Sequence, residues 1–145
     1  MIFLILINTT IFILLSFLHI YWALGGNRGM SDILPTLSDG QRRFRTGTYA
    51  RLTVGAAMGG FAFITIGNMG IFNAYLSRDF IRYATTAIGV VFLLRAVGDF
   101  RYIGFFKKAT GTRFARNDSR YYIPLSITIA VISFIIAWAQ VIFSG

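Results

Sequence analysis

The most regular feature of the chain is a set of four long apolar blocks separated by polar connections. The blocks are predicted to be spans over about 2–24, 49–72, 80–102 and 122–143. Each block is as long as the ~20 residues that an α-helix needs to cross the hydrocarbon core of a bilayer. The first block is too long, and lacks the basic start, for a cleaved signal peptide, so it is interpreted as a retained span. The pattern predicts an all-α integral membrane protein with a single domain over residues 1–145.

Basic residues concentrate in two of the three connections between the blocks. The first connection, 25–48, holds four arginines, and the third, 103–120, holds five lysines and arginines. The middle connection, 73–79, has Arg78 as its only basic residue, and the two terminal segments have no charged side chain. The positive-inside rule therefore predicts cytoplasmic first and third connections, with the N-terminus and the C-terminus both extracytoplasmic. Such a chain is expected to form an antiparallel four-helix bundle.

The composition narrows the classes of function that the chain can have. Four spans use most of the 145 residues and leave no room for a soluble catalytic domain. The formal net charge of +9 would suggest nucleic-acid binding in a soluble protein, but here the basic residues flank apolar spans. Membrane lipids with anionic headgroups are the predicted partners, and no nucleic acid is expected. The chain has no cysteine, so disulfides and thiol chemistry are excluded.

The inventory of chemically active side chains is small. There is one histidine, there are five aspartates, and there is no glutamate. A zinc site needs three or four protein ligands, and the spacing of the histidine and the aspartates does not match such a site. Neither a metal nor a cofactor is therefore predicted. The chain also lacks the G-x-S-x-G, P-loop and H-E-x-x-H motifs. Whether the protein is an enzyme is left open.

Charged residues inside the third block point to a polar site. Arg95 and Asp99 are four residues apart and Tyr102 is seven from the arginine, so a continuous helix would carry all three on one face. His19, in the first block, approaches the same cytoplasmic leaflet. Ionisable residues within spans usually face the bundle interior or a water-filled cavity. The sequence thus predicts one shared polar pocket, with His19 and Asp99 as catalytic candidates. The structural alternative is a local ion pair and a packed histidine.

Residues beside these positions extend the predicted ligand-binding set, and a glycine motif suggests a contact surface. The full ligand-binding set is His19, Tyr21, Trp22, Arg95, Asp99, Tyr102, Arg113 and Asp118. In the second block, "GAAMGG" places Gly55 and Gly59 four residues apart, which permits close approach of another helix. Packing within the chain is one interpretation of this motif, and a homo-oligomer through Gly55 and Gly59 is the other.

Two segments resemble a known family. The stretches "LHIYWALGG" and "LLRAVGDFRYIGFFKKATGTRFARNDSRYYIPL" are similar to a bacterial family catalogued as domain of unknown function 3995. The resemblance is near full length, and it implies a small four-span protein, multi-pass in the bacterial cytoplasmic (inner) membrane. It carries no assigned activity, and it groups His19 with Arg95 and Asp99 in one signature.

Three functions are compatible with the sequence. The first is binding of a lipid or anionic amphiphile in a polar pocket near the cytoplasmic face. The second is a small oligomeric transporter or channel subunit, in which the polar residues line a water-filled path. The third is a non-catalytic accessory membrane protein. A pocket should be dead-ended, a path should reach both faces, and an accessory protein should have its polar groups paired internally.

Overall fold

The fold consists of four long helices. The computed structural model describes residues 1–26, 47–98 and 118–143. The helices are α1 (Ile2–Ala23), α2 (Thr48–Gly67), α3 (Arg78–Val97) and α4 (Ile123–Phe143), and a five-residue π turn, Asp118–Tyr122, precedes α4. The described residues contain no strand, and four helical segments are long and apolar enough to cross a membrane. The predicted all-α membrane architecture is confirmed.

The helix ends differ from the predicted spans at the α2–α3 connection. α2 ends at Gly67, five residues before the predicted end, because the chain turns over residues 68–76. The Asn68 side-chain amide donates to the carbonyl oxygens of Ile64 (3.2 Å) and Thr65 (3.1 Å), and so satisfies carbonyls left open at the helix end. At the start of α3 the Ser77 hydroxyl accepts from the backbone N–H of Phe80 at 3.2 Å. This is an N-terminal cap.

Neighbouring helices are antiparallel, and α1 packs chiefly on α2 while α3 packs chiefly on α4. We call the end where α1 and α3 finish and α2 and α4 begin the basic end. The sequence segments that run between helices joined at this end, residues 24–51 and 95–120, contain twelve of the fourteen lysines and arginines. The opposite end, with Arg78 and Arg82, is the far end.

The centre of the bundle is packed with aromatic rings. Phe12 of α1, Phe61 of α2 and Phe92 of α3 form what we call the phenylalanine cluster, with ring centroids 5.6 Å apart for the Phe12–Phe61 and Phe12–Phe92 pairs and 6.2 Å apart for Phe61–Phe92. Phe12 is completely buried. Outside this core the exposed side chains of the helices are largely apolar, as is appropriate for a surface covered by lipid tails.

Candidate functional site

An open apolar groove lies between α2 and α3. It encloses about 400 Å³ and has almost no polar lining. Small residues create the space: a Cβ added at Gly60 would meet no atom within 4 Å. The lining residues are Ala57, Gly60, Phe61 and Ile64 of α2 and Ala84, Ala87, Ile88 and Val91 of α3. The volume falls within the range of small-molecule sites, about 300–1,000 Å³.

Arg95 lies on the helical stripe that lines this groove. Ala84, Ile88, Val91 and Arg95 are separated by four, three and four residues, so they share one face of α3. Arg95 is one turn, about 6 Å, beyond Val91 toward the basic end. It is in the last turn of α3, where a cation is favoured by the helix dipole. Its guanidinium carbon is 5.9 Å from the centroid of the Tyr122 ring.

His19 lies on the side of α1 that faces α2, where a Cβ built at Gly55 would be 3.5 Å from His19 Cβ. Its Nδ1 donates to the carbonyl oxygen of Leu15 at 2.7 Å, since a carbonyl can only accept. In the neutral ring this leaves Nε2 as the acceptor. The ring meets Trp22 edge-on with centroids 5.2 Å apart. Within the part of the chain that the structure describes, no three histidine, cysteine, aspartate or glutamate side chains are grouped to hold a metal ion.

The two glycines after α1 form a helix cap. Gly25 has φ +99°, its N–H donates to the carbonyl oxygen of Trp22 (3.3 Å), and the Gly26 N–H donates to that of Tyr21 (3.0 Å). This is the Schellman pattern. Arg51 Nη1 of α2 donates to the same Trp22 carbonyl at 3.0 Å, so the cap is tied to the next helix. A Cβ at Gly26 would overlap the Tyr21 ring.

The cap makes Gly25 a sensitive position. We expect Gly25→Ala to lower the free energy of unfolding by about 1–2 kcal/mol, because a side chain is disfavoured at positive φ. Gly60→Ala is the matched control, since its added Cβ has open space within a helix. Unfolding by SDS titration in mixed micelles measures both. Equal stability of the two variants would contradict the role of the cap.

The predicted site residues are only partly within the described chain. His19 contacts Leu15 and Trp22 of α1 on the side that faces α2, whereas the Arg95 guanidinium lies over Tyr122 of the π turn that precedes α4. The predicted third span continued to Tyr102, whereas α3 ends at Val97, and Gly98 follows with φ +56°. Asp99, Tyr102 and Arg113 and the side chain of Asp118 lie outside the described residues. The shared polar pocket therefore stays a prediction.

The glycine motif of α2 packs against α1 of the same chain. A Cβ at Gly55 would lie 3.1 Å from Ile20 Cγ1 and 3.4 Å from the backbone oxygen of Ser16. The Ser16 hydroxyl donates to the Gly55 carbonyl oxygen at 2.7 Å, and its Oγ is 3.5 Å from a Cβ built at Gly59. These contacts are packing within the chain. A homo-oligomer through Gly55 and Gly59 stays a prediction.

A set of buried polar side chains was not predicted from the sequence. All four helices contribute to it, and each member is 5% exposed or less: Asn8, Thr9, Thr65, Thr85, Ser126 and Ser133. Asn8 Nδ2 donates to the Ser133 hydroxyl at 3.0 Å, and Asn68 Nδ2 donates to the Thr85 hydroxyl at 2.8 Å. The signal was present, because every apolar block contains hydroxyl or amide residues.

A small polar cleft at the far end was also missed. It encloses about 60 Å³, and its polar lining comes from Asn68, Asn73, Arg78 and Arg82. Arg82 Nη2 is 2.7 Å from an Asp79 carboxylate oxygen, and its guanidinium carbon is 5.3 Å from the centroid of the Trp138 ring. Arg82 thus links α3 to α4 while lining the cleft.

These features define the class of the protein. It is a multi-pass, all-helical membrane protein whose described helices enclose an apolar groove and a set of buried polar side chains. Residues 12–133 match the family described as "Protein of unknown function (DUF3995)", and the chain belongs to that family. The resemblance seen in the sequence is confirmed. No curated protein and no solved structure matches the chain.

Proposed function

We propose that the protein binds an anionic amphiphile from the membrane. The apolar tail lies in the groove between α2 and α3, and the head lies at the basic end beside Arg95. The observation that carries this proposal is the groove of about 400 Å³ whose α3 stripe leads to Arg95. The proposed location is the bacterial cytoplasmic membrane, with the basic end at the cytoplasmic face.

The groove suits a lipid tail better than a polar solute. Its walls are almost entirely apolar, and it opens laterally, where lipid tails cover the spans. Lipid tails are as apolar as leucine, so selectivity for one amphiphile has to come from shape and from the head. The guanidinium of Arg95 supplies the head contact, because its donors match the geometry of phosphate and carboxylate groups.

The geometry of the described residues supports the binding of a ligand and does not indicate a reaction. Ala57 and Gly60 face the groove, whereas Gly55 faces α1, and a Cβ built there would lie 3.5 Å from His19 Cβ. The described contacts of His19 therefore lie on a different face of α2 from the groove. Asp99, Tyr102, Arg113 and Asp118 remain candidate head-contacting residues because they follow Arg95 toward the basic end in the sequence.

A larger side chain in the groove tests whether the tail of the amphiphile binds there. We expect Ala57→Leu to reduce the amount of co-purified lipid at least about tenfold, which corresponds to about 1.4 kcal/mol of binding free energy. Ala56→Leu is the matched control, because Ala56 is exposed, adjacent and absent from the groove lining. Native mass spectrometry of the protein released from mild detergent measures the retained lipid.

The same experiment tests the proposed contact between the head of the amphiphile and Arg95. Arg95→Gln should reduce retention of anionic lipid more than that of zwitterionic lipid, whereas Ala57→Leu should reduce both. Arg120→Gln is the control, since Arg120 stacks on the Tyr121 ring with its guanidinium carbon 5.4 Å from the centroid. If Ala57→Leu and Ala56→Leu retain the same lipid in the same amount, the groove is not the binding site.

A further inference from the structure

We infer that water enters the bundle from the far end and occupies a polar pocket that ends at the phenylalanine cluster. This pocket is separate from the proposed amphiphile groove. It is built from the polar cleft at the far end and from the buried polar residues next to it.

The buried polar residues form one layer across the bundle. One apolar cluster at the centre of the bundle includes residues from all four helices. We take one member from each helix as a reference level: Phe12, Ala62, Ile88 and Ala130. Moving three residues toward the far end, about 4.5 Å along each axis, reaches a hydroxyl residue on every helix. These four residues, which with Asn8 we call the polar layer, are Thr9, Thr65, Thr85 and Ser133.

Several oxygens of the polar layer have no partner among the described residues. Asn8 Oδ1, Thr9 Oγ1 and Thr65 Oγ1 are buried and make no hydrogen bond there. Thr85, in contrast, donates to the carbonyl oxygen of Ile81 at 2.8 Å. Leaving a buried polar group unsatisfied costs about 1–3 kcal/mol. A bound water removes this cost, as buried waters typically bond about three such groups.

The polar layer is connected to the far-end cleft. Thr85 of the layer accepts from Asn68 Nδ2 at 2.8 Å, and Asn68 itself lines the cleft. The cleft volume of about 60 Å³ accommodates water, which needs only about 10–15 Å³ of such space per molecule. Polar groups thus continue from the helix ends at Arg78 to the middle of the bundle.

The chemistry of the lining selects an uncharged occupant. The polar layer offers hydroxyl and amide groups and contains no carboxylate or cationic side chain. Arg78 and Arg82 line the outer cleft and oppose a cation. An anion would face the unpartnered carbonyl oxygen of Asn8 at the inner end. Water is the ligand that can both donate to Asn8 and bond the threonine hydroxyls.

The phenylalanine cluster closes the inner end. Its three rings lie within 6.2 Å of one another, centroid to centroid, and Phe12 is completely buried. The pocket is therefore dead-ended in this conformation. That geometry differs from the water-filled path that a transporter or channel subunit would need to both faces.

Single cysteines test the pocket directly, because the chain has no cysteine of its own. We expect Thr65→Cys to react with neutral methyl methanethiosulfonate at least about tenfold faster than Ala62→Cys, since the reactive thiolate forms only where water reaches the sulfur. Both positions are buried on α2, three residues apart, on opposite sides of the boundary between the layers. Phe63→Cys, which is half-exposed on the helix surface, controls for reagent dissolved in the lipid.

A second measurement, on the unsubstituted chain, does not depend on whether the cysteine variants fold. In lipid nanodiscs, magnetisation transfer from water should reach the hydroxyl or amide protons of Thr9 and Thr65 but not the amide of Phe12. Reaction rates of Thr65→Cys and Ala62→Cys that are equal would overturn the pocket, as would the lack of any water signal at Thr9 and Thr65.

Discussion

Phe12→Ala is expected to lower the free energy of unfolding by about 3 kcal/mol, the lower end of the range for phenylalanine truncation in cores. The ring is completely buried and contacts the rings of Phe61 and Phe92 with centroids 5.6 Å away in each case. Lipid tails are as apolar as the core, so the hydrophobic transfer contribution is small in a membrane. The cavity and the lost contacts between rings remain, and these set the cost.

The control for this substitution is on the same helix. Phe17 is 67% exposed, and Phe17→Ala should leave the free energy of unfolding within about 0.5 kcal/mol of the unsubstituted value. SDS titration in mixed micelles, followed by tryptophan fluorescence, measures both variants. If Phe12→Ala is as stable as Phe17→Ala, the packing of the phenylalanine cluster does not hold α1, α2 and α3 together.

The four spans could be predicted from the sequence because length and apolar content suffice. A membrane span is a local property, and each apolar block has it by itself. The helix ends were less predictable. α2 stops at Gly67 inside an apolar stretch because the Asn68 amide caps its carbonyls and Gly70 adopts φ +84°. These are details of side-chain geometry that hydropathy does not contain.

Parts of the candidate sites could not be predicted because they depend on the register between helices. Arg95 stood out in the sequence as a charge in a span. The groove that it adjoins is lined by small residues of two helices, Gly60 of α2 and Ala84 and Ala87 of α3, and it forms only when these helices pack side by side. The polar layer needs the register of all four helices, which hydrogen bonds such as Asn8 to Ser133 fix. A single sequence shows which residues are polar, but it does not show that they lie at the same height along the bundle axis.

The structure explains much of the segment around His19, "LHIYWALGG". Tyr21 and Trp22 were predicted to belong to a ligand site because they are next to His19. In the structure the Tyr21 and Trp22 carbonyls accept the cap hydrogen bonds from Gly26 and Gly25. Trp22 is also buried, with the His19 ring against it. Much of "LHIYWALGG" can therefore be accounted for by how α1 ends and docks on α2, and its proposed ligand contacts remain predictions.

Gly55→Leu is expected to lower the free energy of unfolding by about 1–3 kcal/mol, the usual cost of overpacking. A Cβ at this position already lies 3.1 Å from Ile20 Cγ1 and 3.4 Å from the Ser16 backbone oxygen, and a backbone atom cannot move aside as a side chain can. The added side chain would therefore push α1 away from α2. The Ser16 hydroxyl would then lose its 2.7 Å hydrogen bond to the Gly55 carbonyl oxygen.

The concentration dependence of this loss separates packing within one chain from a homo-oligomer. If Gly55 serves α1 of its own chain, the loss of stability is the same at every ratio of protein to detergent, because no second copy enters the equilibrium. Ala56→Leu, on the neighbouring exposed position, should have no comparable effect. SDS titration at several protein-to-detergent ratios, together with chemical crosslinking, measures both quantities. A Gly55→Leu variant that unfolds normally but loses a crosslinked dimer would show instead that the glycine surface joins two copies of the chain.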